Sequence, residues 1–79
     1  MKIFYFAHIA RALERREDEM RVAAPVDAEA LWERLIAREP GLQRFRASAR
    51  LVRNGEYAAR GEQFADGDEV AVLPPVSGG

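Results

Sequence analysis

The residues best suited to chemistry are the last six, Pro74-Pro75-Val76-Ser77-Gly78-Gly79, because they would present an α-carboxylate on an unhindered glycine. A chain-end carboxylate has a reference pKa of roughly 3.3 to 3.7, so at neutral pH it is ionised, resonance-stabilised and a poor electrophile. Adenylation by ATP would turn its oxygen into a leaving group, after which a persulfide, thiol or amine could attack the terminal carbonyl. Gly78 and Gly79 lack a Cβ and can thread a channel too narrow for other residues. Pro74 and Pro75 fix φ near −65° and withhold two backbone donors, so the preceding strand must stop at about Leu73 and the chain must leave extended. At about 3.3 to 3.6 Å per residue, the six residues reach roughly 20 Å. The competing reading is a frayed end, since glycine and serine gather at termini. A Pro-Pro stem fed directly by an apolar strand favours a delivery arm instead.

Other candidates for chemistry are sparse. The chain has no cysteine, which excludes a disulfide framework, a thiolate zinc site and a dithiol motif. Any sulfur handled here would therefore sit on something other than a thiol side chain. His8 is the single histidine and has no neighbouring ligands at metal-binding spacing. Asp66, Asp68 and Glu69 lack the twelve-residue spacing of a calcium loop and read as a turn into a strand, so no metal site is expected. No Ser-His-Asp set, phosphate-binding glycine loop or paired catalytic carboxylates can be found. Twelve Lys+Arg against thirteen Asp+Glu give a net charge of −1 without basic or acidic blocks, so neither nucleic-acid nor membrane binding is expected. Arg44, Arg46 and Arg50 form a basic stretch that reads as surface. The apolar run Ile3–Ala7 is too short for a secretory or membrane-spanning segment, and a cytoplasmic protein is expected.

The tail must be carried by a body of 79 residues less its own length, enough for one core and one domain over 1–73, with 74–79 as an extended tail. Lys2–Ala7 reads as a strand with Ile3, Tyr5 and Ala7 on one face and Lys2, Phe4 and Phe6 on the other. Both faces are apolar, so one of them needs a partner, and the company of Lys2 selects Phe4 and Phe6 as the outer set. Packing of these aromatics under a loop is the competing reading. His8–Arg16 has helical spacing of Ile9, Ala12 and Leu13. Glu17–Glu19 reads as a solvated turn, followed by a half-buried strand in which Met20, Val22 and Ala24 alternate with Glu19, Arg21 and Ala23 and return antiparallel to the first.

Asp27 is the N-cap of the clearest helix, with Ala28, Leu31, Trp32, Leu35 and Ile36 as its buried stripe, ending at Glu39-Pro40-Gly41. Trp32 reads as core. Leu42 and Phe45 belong to an irregular or helical connection. Ala49–Arg53 is a strand, Asn54-Gly55 a type I′ hairpin turn into Glu56–Ala58, and Glu69–Leu73 the last strand, with Val70 and Val72 on one face and Ala71 and Leu73 on the other. This order in one small domain predicts an α+β fold with a helix covering one face of a mixed sheet.

The closing run Phe64-Ala65-Asp66-Gly67-Asp68-Glu69-Val70-Ala71-Val72-Leu73-Pro74-Pro75-Val76-Ser77-Gly78-Gly79, together with Ile3-Phe4-Tyr5-Phe6-Ala7 and a short Arg- and Leu-bearing helix, resembles the small-subunit family of molybdopterin synthase, the MoaD family of ubiquitin-like sulfur carriers. The resemblance implies a β-grasp fold with first and last strands as adjacent parallel neighbours in mid-sheet. It implies that Gly79 is adenylated by a ubiquitin-activating-like adenylyltransferase, converted to a thiocarboxylate with sulfur from a sulfurtransferase, and donates that sulfur to a cyclic pterin phosphate inside the large subunit. The tail Pro74–Gly78 would be inserted in the partner, in a heterotetrameric synthase. ATP would be consumed by the activating enzyme, and no cofactor would be bound by the chain itself. With Val70 and Val72 inward, Leu73 would join Phe4 and Phe6 in an apolar patch at the tail's root, the expected docking surface. Thiazole-forming sulfur transfer and a ubiquitin-like modifier conjugated through Gly79 are the alternatives.

Overall fold

Strand β1, Lys2–Tyr5, lies next to the centre of a five-stranded sheet, and its alternation decides which side of that sheet is core. Ile3 and Tyr5 are buried while Lys2 is exposed and Phe4 half-buried. The computed structural model describes residues 1–75. Its remaining elements are helix α1 (Ala7–Leu13), β2 (Glu17–Glu19), β3 (Val26–Asp27), helix α2 (Ala28–Arg38), a 3₁₀ segment (Pro40–Phe45), β4 (Arg50–Arg53), β5 (Glu56–Tyr57), β6 (Gln63–Phe64) and β7 (Glu69–Leu73).

The main sheet has the order β2-β1-β7-β4-β5. β7 is central, parallel to β1 (Ile3 opposite Val70, Tyr5 opposite Val72) and antiparallel to β4 (Leu51 opposite Val72). The first and last strands are thus adjacent parallel neighbours, as expected. Helix α2 covers one face. Asp27 caps it, its Oδ1 accepting from the Ala30 N–H at 2.8 Å, and Leu31, Trp32 and Leu35 are buried against Ile3, Tyr5, Val70 and Val72 in a single core. Pro40 follows the helix and opens the 3₁₀ segment, which delivers Leu42 and Phe45 to the same core. This α+β arrangement is a β-grasp.

Four local expectations are corrected. β1 stops at Tyr5 rather than Ala7, because Ala7 takes φ +51° and starts α1. Helix α1 ends at Leu13 rather than Arg16, because Glu14 turns left-handed at φ +54° as its C-cap. Glu17–Glu19 is not a solvated turn but the edge strand β2, antiparallel to β1, and Met20 and Val22 follow it as buried residues outside the ladder. Three acids can form this strand because Asp18, in the middle, turns inward onto Arg15 and Arg38 at 3.2 and 2.8 Å. The sequence reading also missed a second, two-stranded ladder, β3 with β6, that holds Phe64 fully buried.

Candidate functional site

Strand β7 carries the tail, and its residues divide cleanly between the two faces. Val70 and Val72 are fully buried, Glu69 is exposed, and Ala71 and Leu73 are half-buried on the outer face. Pro74 and Pro75 lie beyond the ladder, Pro74 half-buried and Pro75 exposed. The strand ends where the first proline withholds its donor. Val76, Ser77, Gly78 and Gly79 lie outside the described residues, so the proposed reacting end is not part of this geometry.

Around the root of the tail the sheet registers bring the outer residues into rows. Phe4 stands opposite Ala71, Ala71 opposite Val52, and Val52 opposite Tyr57, a row that crosses β1, β7, β4 and β5. One level nearer the tail, Leu73 stands opposite Arg50. Phe6 follows Tyr5, whose ladder partner is Val72, and keeps extended backbone (φ −124°, ψ 156°), so it continues the outward alternation of Phe4. Phe6 is 46% exposed and Tyr57 59%, the exposed large apolar side chains of the described chain. Beside Phe4 and Phe6 an open groove of about 910 Å³ runs between β1 and α1, with Ala10, Arg11 and Arg16 among its lining residues.

Phe4, Phe6 and Leu73 are therefore brought to one face at the tail's root, with Phe6 the most open of the three. Tyr57, Val52 and Arg50 extend that face and were missed. Their signal was in the sequence: once Asn54-Gly55 is taken as a two-residue turn, the hairpin register pairs Val52 with Tyr57 and settles which side both occupy.

A polar clamp holds the opposite end of β7. Asp68, just before the strand, accepts from Arg53 Nε at 2.7 Å, Asn54 Nδ2 at 3.1 Å and the Ala65 N–H at 2.8 Å. Asn54 closes the loop, its Oδ1 accepting from the Glu69 N–H at 2.9 Å and its own N–H donating to the Glu69 carbonyl at 2.8 Å. The Arg53 guanidinium, with the Ala65 N–H and Asn54, holds the Asp68 carboxyl down at about 2. Asp66 accepts from the Val22 N–H at 3.2 Å, so the two aspartates of the turn are engaged by different protein donors. Among the described residues no group of three or more His, Cys, Asp or Glu is arranged to hold a metal ion. His8 is exposed and its ring lies 5.6 Å from that of Phe45.

Under the β2 edge, Tyr5 is buried and its hydroxyl has no hydrogen-bond partner among the described residues. Burial, reinforced by the negative charges of Asp18 and Glu39, pushes it up to about 12. Arg38 holds Asp18 below the usual carboxylate range. Tyr5 is thus a neutral core residue at physiological pH rather than a proton carrier. Among the described residues no helix is long and apolar enough to cross a membrane.

A central last strand that runs out beside exposed apolar side chains, on a β-grasp sheet with one covering helix, defines a ubiquitin-like protein. Residues 3–79 match the ThiS family, and the chain belongs to it. The human molybdopterin synthase sulfur carrier subunit is 34% identical over 82 residues, spanning 100% of this chain and 93% of that protein. The Chlamydomonas reinhardtii protein of the same name is 32% identical over 81 residues, spanning 100% and 98%. The crystal structure of Haloferax volcanii small archaeal modifier protein 1 superposes with a TM-score of 0.80 at 30% identity over 95% of each chain. The resemblance read from the two ends of the sequence is borne out over its whole length.

Proposed function

We propose that this chain is the sulfur-carrying small subunit of a molybdopterin synthase. The observation that carries the reading is the position of Leu73: the central strand ends there, on the outer face, next to the level of exposed Phe6, so whatever follows leaves from a surface that a partner would cover. The full-length similarity to sulfur carrier subunits supports the same reading. The Gly79 carboxylate attacks the α-phosphorus of ATP on an adenylyltransferase and pyrophosphate leaves. A persulfide on a sulfurtransferase then displaces AMP, and a thiol cleaves the resulting acyl disulfide to leave the thiocarboxylate; two such carriers in turn each give one sulfur to the cyclic pterin precursor in the large subunit and return as carboxylates, forming the dithiolene. The chain itself acts as carrier: Pro74 to Gly79 span roughly 20 Å into the partner's pocket, Phe4, Phe6, Leu73 and Tyr57 supply the docking surface, and the catalytic groups belong to the partner.

A second reading, a modifier conjugated through Gly79 to target lysines, is favoured by the similarity to small archaeal modifier protein 1. Intact mass after incubation with ATP, the activating enzyme and a sulfur donor separates the two. Sulfur carriage gives a species about 16 Da heavier, by exchange of oxygen for sulfur, whereas conjugation gives lysine-linked adducts. One alanine added after Gly79 is expected to abolish the shift, and a shift that survives the extension would sink both readings.

A further inference from the structure

Among the charged residues of the outer face, Arg50 has a distinctive place. It is exposed, it stands directly opposite Leu73 where the tail leaves, and β4 turns its neighbour Leu51 into the core, so its side chain is on the outer side. Four other arginines are held by carboxylates of the protein itself: Arg15 and Arg38 on Asp18, Arg46 on Glu29, and Arg53 on Asp68. Arg50 has no such partner among the described residues. At the far end of the same face carboxylates outnumber cations, with Lys2 standing between Glu19 and Glu69 in the ladders. Arg50 is therefore an unopposed cation directly beside the tail's root, while Arg11 and Arg16, also exposed, line the groove on the α1 side of Phe4 and Phe6.

The length of the tail decides what that cation can meet. Six residues separate Leu73 from the chain end, roughly 20 Å when extended, far beyond the reach of an arginine side chain anchored at the root. Arg50 thus lies too far back to touch a nucleotide phosphate or a pterin at the reacting carbonyl. What it faces, once the tail is threaded, is the mouth of the partner's channel.

We propose that Arg50 is an orienting anchor that pairs with a carboxylate side chain on the rim of the channel into which the tail is threaded. This rests on the sulfur-carrier reading and adds the chemistry of the partner's rim. The apolar row of Phe4, Ala71, Val52 and Tyr57 supplies contact area but little orientation, since apolar contact is non-directional. A cation one level nearer the tail than the row, met by an anion at the channel mouth, favours the one rotation of the body that aims the tail. Rim charges of this kind act chiefly on association rate and on salt dependence.

The test measures binding of the full-length chain to the large subunit of molybdopterin synthase from the same genome, at about 50 mM and about 500 mM salt, where exposed charges are weakly and strongly screened respectively. Arg50→Glu is expected to weaken binding at least about tenfold at low salt, mainly through kon, and to lose most of that deficit at high salt. Arg50→Gln should show a smaller loss with a shallower salt dependence. Arg34→Glu, the same charge change on α2 across the sheet, should bind like the parent, and matched melting curves will show all three folded. If Arg50→Glu binds like the parent, or no worse than Arg34→Glu, the proposal is wrong. An Arg50→Glu chain that binds normally but fails to be adenylated would also overturn it, by moving the contact to a nucleotide. Failure of the parent itself to bind the large subunit would overturn the sulfur-carrier reading, and this one with it.

Discussion

Arg53 Nε donates to Asp68 Oδ2 at 2.7 Å, joining the end of β4 to the residue that precedes β7. The pair sits at the foot of the strand whose other end releases the tail, and it fixes β7 against its antiparallel neighbour. A carboxyl held down at about 2 in the folded chain adds stability above its unfolded value, roughly 3.9, and loses it as pH falls from about 4 towards 2. Asp68→Asn is expected to lower the Tm at pH 7 by roughly 5 to 10 °C. The gap between parent and variant should then narrow steadily below pH 4. A gap that stays constant from pH 7 to pH 2 would show that the charge on Asp68 contributes nothing.

Tyr5 gives the opposite sign. Its folded value is raised to about 12, so its contribution is whole below the unfolded value near 10 and is lost as pH rises from there towards 12. Alkaline unfolding followed by circular dichroism should show this loss, and Tyr5→Phe should remove it. Because the hydroxyl is buried without a partner among the described residues, Tyr5→Phe should also raise stability at pH 7 by about 1 kcal/mol in urea unfolding. Destabilisation by the variant would reveal a hydrogen bond to the hydroxyl.

Helix α1 is closed by a residue poorly suited to its backbone. Glu14 holds φ +54°, while its N–H reaches the carbonyls of Ala10 and Arg11, a left-handed C-terminal turn that ordinarily favours glycine. An L-residue there costs roughly 1 to 2 kcal/mol, partly offset in any glycine replacement by added unfolded-state entropy. Glu14→Gly should therefore stabilise by about 0.5 to 1 kcal/mol in denaturant titration, with no change in partner binding. A loss of stability would mean that the Glu14 side chain contributes more than its backbone strain costs.

Phe4 and Phe6 should separate on substitution. Phe6 is 46% exposed, whereas Phe4 is half-buried between neighbouring strands. Phe6→Ser is expected to leave the Tm within a few degrees and weaken binding to the synthase large subunit by tenfold or more, in the manner of a truncated interface anchor at about 2 kcal/mol. Phe4→Ser should weaken binding and also lower stability, by about 1 kcal/mol. Equal losses of Tm in the two variants would make Phe6 a residue of the fold rather than of a surface.

Much of this is legible in the amino-acid sequence. The inward set Ile3, Tyr5, Val70 and Val72 follows from alternation, α2 from its stripe and the Asp27 cap, the β4–β5 turn from Asn54-Gly55, and the strand's end at Leu73 from Pro74. Each of these depends on residues a few positions apart, whose periodicity, capping or ring geometry acts locally. The acids of β2 were unreadable as a strand because Arg38, which holds the middle one, Asp18, through two hydrogen bonds, is twenty residues away. Phe64 could not be recognised as core because its ladder partner, Val26, lies in another part of the chain.

By itself, then, the sequence determined an α+β body, its one covering helix and a proline-stiffened exit, since these rest on local backbone preference and side-chain period, while the β-grasp was implied by the resemblance of its two ends to a known family. Only the tertiary structure decided that Phe4, Ala71, Val52 and Tyr57 form one row, that Arg50 flanks Leu73, and that Asp68 is bound by Arg53. Those relationships are matters of register between strands distant in the chain, and register is set by the packing of the whole sheet on α2 rather than by any one segment.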